Sequence, residues 1–115
     1  MTVTPTMITC DTTDALALAT WWAEQTGGTV TEENDGWFVI VALPQGPTLA
    51  FQKVERPTEG KNRLHLDVVT DDLDSEVERL QAAGAGIVAR RGDESFRWVT
   101  MTDPAGNEFC VAPQH

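Results

Sequence analysis

Residues 62–80 read Asn62-Arg63-Leu64-His65-Leu66-Asp67-Val68-Val69-Thr70-Asp71-Asp72-Leu73-Asp74-Ser75-Glu76-Val77-Glu78-Arg79-Leu80. Leu64, Leu66 and Val68 alternate with His65, Asp67 and Val69, the period of a strand that buries one face and turns an imidazole and a carboxylate to the other. From Leu73 the apolar spacing becomes Leu73, Val77, Leu80, which is one face of a helix. Asp71 and Asp72 stand just before it, where side-chain oxygens satisfy the free N–H groups of the first turn. A strand that passes directly into a helix, with His65 on the polar face, joins fold and possible chemistry in one place.

Working outward, the helix is expected over Asp71–Ala83, ended by Gly84 and Gly86, with a strand at Ile87–Arg90. Arg91-Gly92-Asp93-Glu94 reads as a turn, Phe96–Thr102 as a strand, Asp103-Pro104-Ala105-Gly106-Asn107 as a second turn and Glu108–Ala112 as the last strand. On the N-terminal side, Glu55–Lys61 carries charge, Pro and Gly without an apolar period and reads as an exposed linker. Before it come a strand at Met7–Asp11 and a helix that Thr12 or Thr13 can cap. That helix buries Ala15, Ala19 and Trp22 and ends at Gly27-Gly28. Thr29–Glu33 is the next strand, Asn34-Asp35-Gly36 a turn signal, and Trp37–Leu43 and Thr48–Val54 are strands broken by Pro44-Gln45-Gly46-Pro47.

Both halves therefore spell strand, helix, strand, strand, strand. Thr13-Asp14 aligns with Asp71-Asp72 at an offset of 58 (72 − 14), which also pairs Gly28 with Gly86, and Gly46 aligns with Gly106 at an offset of 60 (106 − 46). The expected organisation is a single domain over 1–115, with repeat one at 1–55, the linker at 56–61 and repeat two at 62–115.

The chain has 115 residues, 41% of them hydrophobic and 23% charged, enough for a core within one domain. A formal net charge of −10 opposes phosphate backbones and anionic membrane surfaces, so nucleic acid and membrane are not expected partners. The same field favours a cationic ligand, or it simply keeps an acidic surface solvated. No stretch has the length of a membrane span, and the first residues lack the basic and apolar regions of a signal peptide, so a cytoplasmic location is expected. Cys10 and Cys110 are too few for a disulfide framework and are expected to be reduced thiols. The terminal His115 is expected to be disordered.

The tandem βαβββ pattern, a His on the first strand of the second copy, and the ending Asp103-Pro104-Ala105-Gly106-Asn107-Glu108-Phe109 resemble the vicinal oxygen chelate superfamily, which includes glyoxalases, bleomycin resistance proteins and extradiol dioxygenases. Leu49–Val54 and Lys61–Asp67 are similar to its glyoxalase-like subgroup, whose members mostly have no assigned activity. The resemblance implies an α+β fold of two curled, mixed four-stranded half-sheets forming an open barrel with helices outside. It also implies a ligand on the concave face and a homodimer. Catalytic members hold a divalent metal on the first and last strands of each repeat, and the corresponding positions here are Met7, Ala50, His65 and Cys110. His65 and Cys110 alone among these coordinate strongly, so no cofactor is expected. A shifted divalent site is the alternative, built on His65 and Glu108 with Gln52 or Asp67, which share the face by alternation.

The expected function is a glyoxalase-like small-molecule binding protein with a degenerate metal site, acting in sequestration or resistance. The alternative is a metal-dependent lyase, transferase or dioxygenase using the shifted His and carboxylate. The candidate ligand-binding residues are His65, Asp67, Trp98, Glu108, Cys110, Gln52 and Trp37. His65 and Glu108 are the catalytic candidates, either at a metal or as a general base without one. Each has a plainer reading: His65 as a hydrogen-bonded surface or pocket histidine, Cys110 as a small buried hydrophobe rather than a nucleophile, and Trp37 and Trp98 as core rather than ligand-facing rings. Trp21 and Trp22 are consecutive on one helix, so only one of them points inward, and the register selects Trp22.

Overall fold

Thr12 and Thr70 each precede a helix by the same number of residues, and the two helices start alike. The Thr12 hydroxyl accepts from the N–H of Asp14 (3.3 Å), and the Asp14 carboxylate accepts from the N–H of Ala17 (3.1 Å). The Thr70 hydroxyl accepts from the N–H of Asp72 (3.4 Å), and Asp72 accepts from Ser75 (3.2 Å). Asp14, not Thr12 or Thr13, is thus the first helix's N-cap. A carboxylate facing the positive end of the helix dipole holds that role better than a hydroxyl, and Thr12 is the last residue of its strand.

This computed structural model describes residues 6–60, 62 and 64–114. Expectations for Lys61, Arg63 and His115 lie outside the described residues. The chain divides into two compact units, Met1–Pro57 and Thr58–His115. In the first, β1 (Met7–Thr12), α1 (Ala15–Thr26), β2 (Thr29–Glu32), a 3-10 turn (Asn34–Gly36), β3 (Phe38–Ala42) and β4 (Thr48–Lys53) form a four-stranded mixed sheet in the order β1-β4-β3-β2. In the second, β5 (Leu66–Thr70), α2 (Leu73–Ala82), β6 (Gly86–Gly92), β7 (Arg97–Thr102) and β8 (Glu108–Pro113) repeat it as β5-β8-β7-β6. The first strand of each unit lies parallel to the last and the other pairings are antiparallel, which makes the fold α+β with a βαβββ unit used twice.

The apolar spacing accounts for what each helix covers. Ala15, Leu18, Ala19, Trp22 and Ala23 are the buried residues of α1, which packs on β3 and β4. Trp22 is buried while Trp21 stands edge-on to it at 5.0 Å and half-exposed, as consecutive positions require. In α2, Leu73, Val77 and Leu80 are buried and the helix packs on β8. Val99, Met101, Phe109 and Val111 share one parity on β7 and β8 and are all buried. Each such side chain stabilises the unit by about 1.5–3 kcal/mol relative to exposure.

Three boundaries differ from expectation. His65 precedes β5 rather than lying in it, and Leu64 is 82% exposed rather than buried. The β5 ladder begins at the pair Leu66 and Phe109, one residue short of the start of β8, where the Asn62 side chain bonds the Glu108 backbone in place of a further strand pair. Arg91 and Gly92 belong to β6, paired with Trp98 and Arg97, rather than to the turn. Trp37 follows the 3-10 turn and is 61% exposed, with Lys53 Nζ 4.8 Å from its ring centre. Its carbonyl still accepts from the N–H of Lys53, so it extends the ladder by one bond.

Candidate binding cleft on the second sheet

The face of the second sheet opposite Phe109 and Val111 carries Trp98 and Thr100 on β7 and Glu108 and Cys110 on β8, by strict alternation. Cross-strand register fixes the rows. Arg91 pairs with Trp98, Thr100 with Cys110, Asp67 with Cys110, and Thr102 with Glu108. His65, Arg91, Trp98, Thr100, Glu108 and Cys110 line a cleft of about 290 Å³.

Its floor is a chain of polar contacts. Arg91 Nε donates to the hydroxyl of Thr100 (2.9 Å), and that oxygen lies 3.6 Å from Cys110 Sγ. Thr100 is 5% exposed, so its hydroxyl is removed from water and satisfied within the protein. Trp98 forms one wall, steadied by Phe96 at 5.8 Å between ring centres. At the other end Asn62 holds the Glu108 backbone from both sides, accepting from its N–H (2.9 Å) and donating to its carbonyl (3.4 Å). Asn62 Nδ2 also contacts the carbonyl of Leu64. One side chain therefore ties the segment before β5 to the first residue of β8.

His65 Nε2 lies 3.2 Å from Asp67 Oδ1. Both are exposed, so the pair orients the imidazole and contributes little to stability. Donor atoms of His65, Asp67 and Cys110 all fall within 4.8 Å of one another. An imidazole, a carboxylate and a thiol are the mixed nitrogen, oxygen and sulfur set that suits a borderline ion such as zinc; hard Mg²⁺ takes oxygen donors. The residues therefore fit a zinc-type ion, with His65, Asp67 and Cys110 as holders. Such an ion supplies Lewis acidity toward a bound oxygen.

Four of the seven expected ligand-binding residues, His65, Trp98, Glu108 and Cys110, come together in this cleft. Asp67 adjoins it through His65 and Cys110. Gln52 and Trp37 belong to the first unit: Gln52 is exposed on β4, opposite Phe38, and Trp37 stacks with Lys53. Of the mapped metal positions in that unit, Ala50 is fully buried and donates nothing, and Met7 is 38% exposed on β1. The sequence pattern missed Thr100 and Arg91. Thr100 shares the parity of Trp98 on one strand, a usable signal; Arg91 became visible only once β6 extended beyond Arg90.

A family model for a glyoxalase-like domain matches residues 7–112. The chain belongs to this glyoxalase-like family, within the vicinal oxygen chelate superfamily that the sequence resembles. No curated protein matches the sequence significantly. Among solved structures, a glyoxalase/bleomycin resistance protein/dioxygenase family enzyme from Burkholderia phytofirmans aligns with a TM-score of 0.78 at 18% identity, covering 94% of this chain and 96% of that one. A lactoylglutathione lyase from Agrobacterium tumefaciens aligns at 0.70 and 15% identity, covering 98% and 95%. The oxidase ChaP-H2 aligns at 0.65 and 20%, covering 100% and 96%. Similarity at these identities is similarity of fold, and the named activities already differ among the three.

Proposed function

We propose that this protein is a small-molecule binding member of the glyoxalase-like family, with sequestration or resistance as its role and the second sheet's cleft as its site. The observation that carries this is the composition of the cleft. A tryptophan wall and several polar groups converge on an open, largely polar concavity of about 290 Å³, in which directed polar contacts would orient a small ligand. At the positions equivalent to metal ligands in catalytic relatives, Ala50 offers no donor and Cys110 replaces a carboxylate, so binding is favoured over the parental chemistry. In this reading residues 7–112 act as one glyoxalase-like domain, in a cytosolic homodimer that covers edge strands such as β5 and β6. The test is a thermal-shift screen of a small-molecule library with and without EDTA. Organic ligands that stabilise the protein equally in both arms support it; a library in which nothing stabilises the protein overturns it.

The clustering of His65, Asp67 and Cys110 donors favours a second reading, a metal-dependent lyase, transferase or dioxygenase. In that case zinc raises the melting temperature of EDTA-stripped protein, by a free energy of about 2.7 kcal/mol at a hundredfold excess over Kd, and Cys110→Ser or His65→Ala abolishes the shift. Glu108→Gln leaves it in place, because Glu108 lies outside the donor cluster. An equal zinc response in wild type and both donor variants would rule this site out.

A further inference from the structure

The cleft contains two opposite charges that do not neutralise each other. Arg91 spends only its Nε on Thr100. Among the described residues no carboxylate lies within 4.0 Å of its guanidinium, and its two terminal NH₂ groups have no protein partner. Glu108 is half-buried, its backbone is fixed by Asn62, and among the described residues its carboxylate has neither an ion-pair nor a hydrogen-bond partner. Elsewhere in this unit Arg97 lies beside Asp74, Arg79 beside Glu76 and His65 beside Asp67.

The register explains why these two remain apart. Arg91 belongs to the Trp98 row and Glu108 to the Thr102 row, four residues distant along β7, which is about 13 Å at 3.3 Å per residue. The Nε bond to Thr100 draws the guanidinium halfway along that span, and a gap of about two residues, roughly 7 Å, is left before the Glu108 row. The planar face of Trp98 and the small side chain of Cys110 line the cleft beside it. A guanidinium held at Nε presents the rest of its fork in a fixed plane, which matches the two oxygens of a carboxylate. A half-buried carboxylate on an anchored backbone favours an ammonium group.

We propose, building on the binding function above, that the ligand is a small amino acid-like zwitterion with a planar side group. Its carboxylate sits on Arg91, its ammonium faces Glu108 and its flat group lies against Trp98. This goes beyond the chain's acidic character, which by itself selects for any cation. Each half of the cleft supplies the counter-charge that one half of the ligand requires, so a singly charged analogue leaves one charge of the cleft unmatched.

The experiment uses three probes that share a phenylethyl core: L-phenylalanine, which carries both charges, 3-phenylpropanoate, the anion alone, and phenethylamine, the cation alone. Binding is followed by calorimetry and by amide chemical shifts of Thr100 and Cys110 in ¹⁵N-labelled protein. L-phenylalanine is expected to bind about tenfold or more tightly than either singly charged probe. Arg91→Met removes that advantage over phenethylamine, and Glu108→Gln removes it over 3-phenylpropanoate. Both substitutions are at solvent-accessible positions, and circular dichroism of each variant checks that the fold is retained. Equal or tighter binding of phenethylamine overturns the proposal and leaves a simple cation site. No binding of any probe also overturns the ligand class, while the broader binding function then stands or falls on the library screen alone.

Discussion

At the scale of single residues, Asp103 shows how one side chain sets the position of the site. It is 4% exposed, and its Oδ1 accepts from the N–H groups of Ala105 and Asn107, both at 2.9 Å, while the Asn107 amide donates to both of its oxygens. The backbone closes the same loop, with Gly106 N–H donating to the Asp103 carbonyl and Asp103 N–H to the Asn107 carbonyl. Pro104 has the fixed φ that the turn needs at its second position, and Gly106 takes φ of 90°, which a side chain resists. Glu108 begins β8 one residue later, so this turn determines where the cleft's carboxylate falls. Asp103→Ala removes four part-buried, charge-assisted hydrogen bonds and is expected to cost about 2–3 kcal/mol, lowering the melting temperature by about 10 °C in a circular-dichroism melt. A loss under ~0.5 kcal/mol would mean that the backbone bonds alone hold the turn. The Asp-Pro-x-Gly-Asn pattern was legible in the sequence because each of its residues has a conformational reason to be there.

At the scale of elements, the β6–β7 hairpin presents Arg91 and Trp98, and its turn is built on an unusual close approach. Gly92 has φ of 89°, and a Cβ added there would lie 2.1 Å from the Phe96 carbonyl oxygen. Gly92→Ala is therefore expected to distort the hairpin and abolish ligand-induced shifts at Thr100, with cooperative unfolding of the rest of the unit retained. Asp93 holds the tip: its carboxylate accepts from the Ser95 hydroxyl (2.6 Å) and from the N–H groups of Ser95 (2.9 Å) and Phe96 (3.3 Å). The Ser95 hydroxyl first, and then the backbone donors, pull its pKa below the ordinary 3.8. A depressed carboxyl pKa stabilises the turn above the ordinary value, and that contribution disappears as pH falls through the lowered one. Protection of the Ser95 and Phe96 amides, measured by NMR hydrogen exchange, should accordingly fall only below pH 3.8 and lose this dependence in Asp93→Asn. The sequence placed this strand at Ile87–Arg90 but lost its end, because Arg91-Gly92 resembles a turn; β6 is a sheet edge, where charged side chains are common and block further strand pairing. The start of β5 was misplaced for the converse reason: alternation continues back through Leu64, but pairing stops at Leu66, and periodicity alone does not report where a partner strand begins.

At the scale of the whole chain, the duplicated unit was readable because several independent features repeat together. Element order, Thr13-Asp14 against Asp71-Asp72, Gly28 against Gly86 and Gly46 against Gly106 recur at nearly constant spacing, and the structure adds matching helix caps at Asp14 and Asp72 and a break in register in both β2–β3 and β6–β7. The site was readable only in part, because alternation assigns faces within a strand while Arg91 joins Trp98 through cross-strand register. The chain's charge belongs to this scale as well. With eighteen acidic and eight basic residues, most carboxylates have no cation to offset them, and the ion pairs of the second unit are exposed and individually weak. Screening removes both repulsion and attraction, but with a net charge of −10 the repulsive contacts outnumber the attractive ones. Raising NaCl from about 10 mM, where the Debye length is about 30 Å, to about 150 mM, where it is about 8 Å, should therefore raise the melting temperature by a few degrees. Phenethylamine binding should weaken over the same interval, since salt screens the field that attracts a cation, whereas L-phenylalanine, with no net charge, should lose little. A melting temperature that falls with salt would mean that the few pairs outweigh the bulk repulsion, and equal salt sensitivity of the two probes would mean that the long-range field, rather than the two charges in the cleft, governs what binds.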